Sequence, residues 1–154
     1  MTDSTTKPAK VPDQDALAKV GETVRKRLDA DPKAYRVPTD KAEIYAVGEF
    51  LTSNECRKLA GMIDQVARPS SLYGENIQGQ RYLPGQQFKD HHDYFYPGED
   101  YWKQERKNGG QRSWTAMMFL NTLKGSGATA FPNCGIQIEP KAGVLLVWNN
   151  ANPD

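Results

Sequence analysis

The chain of 154 residues is long enough for one domain with a modest core, and its 20 Lys and Arg residues nearly balance its 19 Asp and Glu residues. A formal charge of +1 gives no electrostatic reason to expect a nucleic-acid partner or an acidic membrane surface. The apolar runs are too short to span a bilayer, and the polar N-terminus has no signal-peptide core. We therefore expect a cytoplasmic protein whose two cysteines are reduced.

The first forty residues predict a polar lead-in followed by one amphipathic helix. Residues 1–14 are rich in Thr, Lys, Pro and Asp, which is typical of a disordered segment. Between Asp15 and Leu28, apolar residues recur at helical spacing, namely Leu17, Val20, Val24 and Leu28. The segment Asp29–Asp40 contains two prolines and is predicted to break this helix. Residues 1–40 are thus predicted to precede a main domain over residues 41–154.

The beginning of the main domain predicts a strand and then a capped helix. In "AEIYAVGEFL" the residues Ile44, Ala46 and Gly48 alternate with Tyr45, Val47 and Glu49, as in a strand. Thr52 and Glu55 have the spacing of a capping box. The helix that this box would start is predicted to run through Leu59, Met62, Ile63 and Val66.

After Gly74 the sequence consists of short apolar or alternating segments separated by glycine and proline. They are "IQGQRYLPG", "FKDHHDYFYPG", "SWTAMMFLNTL", "ATAFPNCGIQIEP" and "GVLLVW". This pattern favours an all-β sandwich, jelly roll or barrel over alternating βαβ units. Residues 93–105 are predicted to form a loop. The predicted core residues of this half are Trp114, Met117, Met118, Phe119 and Trp148.

The segment "FKDHHDYF", residues 88–95, contains both histidines of the chain and is the candidate metal site. On a strand, side chains alternate between faces, so His91 and Asp93 would point one way and His92 the other. Such a pair supplies two ligands of a 2-His-1-carboxylate facial triad, which suits Fe(II). Taken alone an H-x-D triplet is weak evidence, because a hydrated turn can have the same composition.

The order of motifs gives a more specific signal than any one of them. The series "YLPGQQFKDHHD", "GGQRSWTAMMFLN", "GSGATAFP" and "IEPKAGVLLVW", preceded by "AVGEFLTSNECRKLAGMI", resembles the prolyl 4-hydroxylase-like branch of the Fe(II)/2-oxoglutarate-dependent dioxygenases. The resemblance implies an α+β, mainly β fold: a double-stranded β-helix (a cupin-like jelly roll) with N-terminal helices packed on it. It implies Fe(II), 2-oxoglutarate and O2 as cofactors and cosubstrates, with ascorbate as a further candidate. The implied reaction is hydroxylation of an unactivated C–H bond, in a prolyl residue of a peptide or protein or in a small molecule.

The resemblance also assigns roles to individual residues. His91 and Asp93 match the first two iron ligands of the family. Tyr82 matches the tyrosine that contacts the distal carboxylate of 2-oxoglutarate, and Thr129 matches a residue of the cosubstrate pocket, although a serine interrupts the glycine pair before it. Arg112 matches an arginine placed to meet substrate. Simpler structural roles remain open: Tyr82 as an aromatic residue at the barrel rim, Thr129 as an ordinary strand residue, and Arg112 as the partner of a surface carboxylate.

Two departures from the family pattern leave an alternative open. The family's distal histidine and the basic residue that pairs with 2-oxoglutarate lie beyond "LLVW", where this sequence has only "NNANPD". A family segment is also missing near Gly74 and Glu75. One hypothesis is that the sequence omits parts of a longer protein. The alternative function is a catalytically inactive jelly-roll module that binds a peptide, and a weaker one is a metal-dependent hydrolase that uses His91, His92 and Asp93.

Overall fold

The computed structural model describes residues 14–64 and 77–150, which form an α+β arrangement. The helices are α1 (Gln14–Asp29), α2 (Ser53–Asp64) and α3 (Trp102–Asn108). The strands are β1 (Ala34–Arg36), β2 (Ile44–Val47), β3 (Trp114–Met118), β4 (Thr129–Phe131), β5 (Ile136–Ile138) and β6 (Leu145–Asn149). All the strand pairings in this part of the chain are antiparallel. None of its helices has the length and apolar character needed to cross a membrane.

The two N-terminal helices agree with the sequence prediction. Helix α1 extends one residue beyond the predicted range at each end. At the start of α2 the capping box is confirmed: the Thr52 amide donates to Glu55 Oε2 at 2.8 Å, and the Glu55 amide donates to Thr52 Oγ1 at 3.3 Å. The bonds that Glu55 accepts, first from the backbone and then from the side chain of Thr52, lower the pKa of the Glu55 carboxyl. The predicted helical residue Val66 lies outside the described residues.

Strand β1 was not predicted, because the two prolines between Asp29 and Asp40 indicated only a break in the chain. Pro32 and Pro38 lie just outside the strand, which is at the edge of its sheet, so neither ring removes a ladder hydrogen bond. The strand predicted from the alternation around Ile44 is confirmed as β2. Ile44, Tyr45 and Val47 are all buried, so side chains on both faces of β2 are covered. One cause is visible at Tyr45, whose hydroxyl donates to the Asp29 carboxylate at the end of α1.

A four-stranded sheet in the order β1-β2-β6-β3 forms the body of the molecule. Its register places Ile44 opposite Trp148, and Met117 opposite Leu146, so these four side chains share one face. We call this face the inner face. The core residues Ile44, Leu146 and Phe119, the last of which directly follows β3, are buried. The two-stranded sheet β4-β5 covers them on the side opposite the four-stranded sheet. Phe131 of β4 contacts Trp148 edge to face, at 5.5 Å between ring centroids.

The predicted core of the second half is therefore correct in part. Phe119 is buried, and Met117 and Trp148 pack against it. Trp114 and Met118 are half-buried, and their register places them on the opposite face of β3. The two sheets enclose the core between them, which is the layer arrangement of a sandwich.

Residues 77–100, which we call the arm, contain no strand, so the strands predicted for "IQGQRYLPG" and "FKDHHDYFYPG" are wrong. A strand needs a neighbour to pair its backbone groups, and no strand of the described part pairs with the arm. The loop predicted for residues 93–105 is also wrong at its end, since α3 begins at Trp102 and buries that side chain. The departure predicted near Gly74 and Glu75 lies outside the described residues.

Candidate metal centre

His91 and Asp93 face each other across a short gap on the arm. His91 Nε2 lies 3.1 Å from Asp93 Oδ1, and the two side chains are 47% and 20% exposed. His91 Nδ1 lies 2.9 Å from the carbonyl oxygen of Lys89. Because a carbonyl only accepts, Nδ1 carries the proton in this contact, which leaves Nε2 as the nitrogen facing Asp93. Nε2 and Oδ1 are therefore placed to share either a proton or a cation.

The second oxygen of Asp93 is bound to the sandwich. Thr115 Oγ1 donates to Asp93 Oδ2 at 2.6 Å, and Asn150 Nδ2 donates to Thr115 Oγ1 at 2.7 Å. Thr115 lies opposite Trp148 in the register, so it belongs to the inner face. Asn150 directly follows β6, and its amide donates to the Ser113 carbonyl oxygen at 2.9 Å. These contacts place the Asp93 carboxylate at the end of the sandwich where β3 begins and β6 ends.

The backbone next to Asp93 is held by the residues that precede β3. Gln111 Nε2 donates to the Phe95 carbonyl oxygen at 2.8 Å, and the Phe95 amide donates to Gln111 Oε1 at 2.6 Å. This pair of bonds is the one that a neighbouring strand would normally make. The Arg112 guanidinium lies 4.4 Å from the centre of the Phe95 ring and donates to the Asp93 carbonyl oxygen at 3.4 Å. Side chains thus replace a strand partner at this point of the arm.

The other side of the arm carries a row of aromatic rings. His92 stacks on Tyr94 at 5.1 Å between centroids, and Tyr94 lies 4.8 Å from Tyr96. A hydrogen bond with Tyr94, more than desolvation, raises the pKa of the Tyr96 phenol. The alternation predicted for a strand therefore persists in the side-chain directions, with His91 and Asp93 on one side and His92 and Tyr94 on the other.

The remaining candidate residues are placed separately from this pair. Tyr82 is 48% exposed, and its hydroxyl donates to the Gln80 side-chain oxygen. Thr129 opens β4 opposite Ile138 and is half-buried. The contacts described for Tyr82 and Thr129 do not include His91 or Asp93, so their roles at a cosubstrate stay predictions. Arg112 is next to the site, but the described contacts of its side chain are with the arm, and its role toward substrate likewise stays a prediction.

Three residues of the site were missed by sequence reasoning: Gln111, Thr115 and Asn150. A signal existed for Thr115, because it is the one side chain able to donate a hydrogen bond from the inner face of an otherwise apolar strand "WTAMM". Gln111 and Asn150 act through long-range contacts to Phe95 and Thr115, and local pattern carries no trace of such contacts.

The separation of the two donor atoms fits a single divalent cation. Two ligand atoms with bonds of about 2.1 Å at right angles lie about 3.0 Å apart, close to the 3.1 Å between His91 Nε2 and Asp93 Oδ1. An imidazole nitrogen and a carboxylate oxygen are ligands that suit Fe(II). In residues 14–64 and 77–150, no group of three or more His, Cys, Asp or Glu side chains is arranged to hold a metal ion. The described site therefore provides two protein ligands.

Comparison with known proteins identifies the family of the chain. The model of the 2OG-Fe(II) oxygenase superfamily matches residues 77–154, which is 78 of the 154 residues and includes the arm and β3 to β6. A protein of Acanthamoeba polyphaga mimivirus named "Putative prolyl 4-hydroxylase" is 37% identical over 82 residues, 51% of this chain and 34% of its own length.

Plant proteins give matches of the same kind. "Probable prolyl 4-hydroxylase 10" of Arabidopsis thaliana is 29% identical over 138 residues, 77% of this chain and 45% of its own length. "Prolyl 4-hydroxylase 1" of the same plant is 38% identical over 90 residues, 49% of this chain and 30% of its own length. The chain thus spans less than half the length of these curated relatives. Because the family model matches more than half of the sequence, the chain belongs to the 2OG-Fe(II) oxygenase superfamily and is prolyl 4-hydroxylase-like within it.

Proposed function

We propose that the protein is an Fe(II)- and 2-oxoglutarate-dependent dioxygenase that hydroxylates an unactivated C–H bond in a prolyl residue of a peptide or protein. The observation that carries the proposal is the 3.1 Å gap between His91 Nε2 and Asp93 Oδ1 at the open end of the sandwich. Family membership supports the chemistry, and the names of the relatives support the prolyl substrate. The two facing antiparallel sheets support a jelly roll as the complete fold.

In this proposal His91 and Asp93 hold the iron, and Tyr82 and Thr129 contact 2-oxoglutarate. When bound, iron, 2-oxoglutarate and O2 together supply the oxidising chemistry, which no amino-acid side chain can provide. The chain itself orients the ligands. The Lys89 carbonyl fixes the His91 ring so that Nε2 faces Asp93, and Thr115 fixes the Asp93 carboxylate. A facial triad needs one more protein ligand, a histidine by the family resemblance.

The position of the arm at the end of the sandwich is consistent with its proposed role of carrying the two metal ligands. Hydroxylation requires a ligand set that leaves positions open for a cosubstrate and for O2. His91 and Asp93 would hold the iron from one side, and the 47% exposure of the His91 side chain supports a site that is open to the surface. Arg112, which lies just before β3, donates to the Asp93 carbonyl oxygen beside the two proposed ligands, and in this proposal it also contacts the substrate.

The experiment that tests the function is an anaerobic titration of the protein with Fe(II) and 2-oxoglutarate. Chelation of the cosubstrate by bound iron gives a visible charge-transfer absorption band, which we expect for the wild-type protein. His91→Ala removes a ligand and should abolish the band. His92→Ala is the matched control, since His92 is the neighbouring histidine on the opposite side of the arm, and it should preserve the band.

A second readout separates the enzyme from a peptide-binding module without catalysis. The enzyme should release CO2 from 2-oxoglutarate faster when a proline-containing peptide is present, and only with iron. Peptide binding that survives chelation, with no band in the wild-type protein, would support the inactive module and contradict the proposal. Equal bands in His91→Ala and wild type would place the iron elsewhere.

A further inference from the structure

The two carboxylate oxygens of Asp93 have different partners, and the hydrogen bonds that lead to one of them all run in the same sense. Oδ1 faces His91, while Oδ2 accepts the hydroxyl of Thr115 at 2.6 Å. An ionised carboxylate can only accept, so the single hydroxyl hydrogen of Thr115 points at Asp93. Thr115 Oγ1 must then accept from Asn150, whose Nδ2 lies 2.7 Å away. The bonds therefore run in one sense, from the Asn150 amide through the Thr115 hydroxyl to the Asp93 carboxylate.

We propose that Thr115, oriented by Asn150, is a positioning residue that makes Asp93 a one-oxygen ligand through Oδ1. This inference rests on the proposed function. If Asp93 bound a cation through both oxygens, it would occupy two coordination positions, and one fewer would remain for the cosubstrate and O2. Rotating Oδ2 toward the cation would break the bond to Thr115 and leave its half-buried hydroxyl without this acceptor.

The positions of Thr115 and Asn150 suit this task because both residues are held by backbone hydrogen bonds between β3 and β6 or their continuation. Thr115 is paired with Trp148 in the ladder between β3 and β6. The backbone amide of Asn150 continues that ladder by donating to the Ser113 carbonyl oxygen. Asp93, by contrast, lies on the arm, which has no strand partner in the described part of the chain. Thr115 thus transfers the fixed geometry of the paired strands to a ligand on a segment that has none.

Gln111 and Arg112 hold the backbone of the arm, whereas Thr115 holds the Asp93 carboxylate, so an experiment can separate their roles. Gln111 bonds to the backbone of Phe95, and the described bond of Arg112 to Asp93 is with its carbonyl oxygen. Thr115 bonds to the carboxylate itself. A change at Thr115 should therefore alter how the metal is bound while the arm stays in place.

The test is a titration of the wild-type chain and three variants with Co(II), followed by the visible d–d absorption of the bound ion. Thr115→Val keeps the shape and the β-branch but lacks the hydroxyl, and we expect Co(II) affinity to fall roughly tenfold. Thr115→Ser retains a hydroxyl and should bind close to the wild-type level. His91→Ala should lose binding at this site altogether. Infrared difference spectra of ¹³C-aspartate-labelled protein report the binding mode, since a chelating carboxylate has a smaller gap between its two stretching bands.

The outcomes separate this inference from the function on which it rests. Weaker binding by Thr115→Val, with a smaller band gap and rescue by Thr115→Ser, supports the inference. If Thr115→Val matches wild type in affinity and band gap while His91→Ala loses binding, the iron site stands and the role of Thr115 is wrong. If His91→Ala binds like wild type, the proposed function fails, and the inference fails with it.

Asn150→Ala provides the second variant in case Thr115→Val does not fold. It leaves the Thr115 hydroxyl in place but removes the donor that orients it. We expect Co(II) affinity to fall less than for Thr115→Val, with the same decrease in the infrared band gap. Thermal unfolding of the metal-free variants shows whether each one is folded. An unchanged band gap in folded Asn150→Ala would contradict the orienting role of this residue.

Discussion

The sandwich and the arm are held in place by different kinds of bonds. In the sandwich, β2, β6 and β3 are joined by backbone ladders, and Leu146 at its centre is 0% exposed. The arm has no ladder in the described structure, and Leu83 on it is 53% exposed. Its anchors to β3 and the residues just before it are polar side-chain bonds, such as those from Gln111 and Thr115.

The stability of the scaffold and the geometry of the site therefore have separate origins. Burial of apolar side chains dominates the free energy of folding, whereas a single hydrogen bond contributes about 1 kcal/mol. We therefore expect the arm to open locally without unfolding of the sandwich. His91 and Asp93, the two proposed metal ligands, lie on this weakly held segment, yet the Asp93 carboxylate is tied directly to the paired strands.

The largest expected effect comes from shortening a core side chain. Leu146→Ala removes a fully buried side chain from between the two sheets and should lower the free energy of unfolding by about 2–5 kcal/mol. Leu83→Ala is the same chemical change on the arm, where the side chain is exposed, and should change it by less than about 0.5 kcal/mol. Urea denaturation followed by circular dichroism measures both values. A loss for Leu83→Ala as large as for Leu146→Ala would show that the arm is part of the cooperative core.

A smaller effect, confined to the arm, is expected from Gln111→Leu. The change keeps the bulk of the side chain but removes both of its bonds to the Phe95 backbone. Two lost hydrogen bonds correspond to about 1–2 kcal/mol of local opening, so hydrogen exchange of the Phe95 amide should become about five- to thirtyfold faster. Hydrogen–deuterium exchange resolved along the chain makes the measurement.

The matched control for this change is Gln137→Leu, at an exposed position of β5. It should leave exchange on the arm unchanged. If Gln111→Leu accelerates exchange equally in β3 and β6, the side-chain clamp stabilises the sandwich as well, and the separation between the two regions is wrong.

The same comparison explains how much of the fold the sequence predicts. Thr52 and Glu55 are three residues apart, so their capping box is a local signal, and the structure confirms both of its bonds. The apolar runs around Met117 and Leu146 predicted strands correctly, because a buried strand consists mainly of apolar residues. Local patterns therefore sufficed for the helices and the central strands.

Patterns were insufficient where the conformation depends on distant partners. "FKDHHDYF" alternates like a strand, but an alternating pattern cannot supply the neighbouring strand that the ladder requires. Spacing did predict that His91 and Asp93 share a side of the arm, and the 3.1 Å contact agrees with that geometry, whereas their role as metal ligands stays a prediction. The bond from Thr115 to Asp93 joins residues 22 positions apart, and one sequence without its fold contains no evidence for it.

The smallest expected effect is a pH dependence that acts on the scaffold through Tyr45. Burial, and then the hydrogen bond to Asp29, raise the pKa of the Tyr45 phenol above its ordinary value of 10.0. Between its unfolded and folded pKa values the folded state retains a proton that the unfolded state has lost. The stabilisation is therefore complete below about pH 10 and is lost as the pH rises through the folded pKa.

Tyr45→Phe removes this titration along with the bond to Asp29, so it should lower stability at neutral pH by about 1 kcal/mol and flatten the alkaline decline. Tyr35→Phe is the control on the neighbouring strand, at a side chain that is 61% exposed, and should follow the wild-type curve. Urea midpoints measured from pH 8 upward give the comparison. Parallel curves for wild type and Tyr45→Phe would mean that the phenol ionises equally well in both states. The alkaline weak point would then have to be sought on the arm, where the pKa of the Tyr96 phenol is also raised.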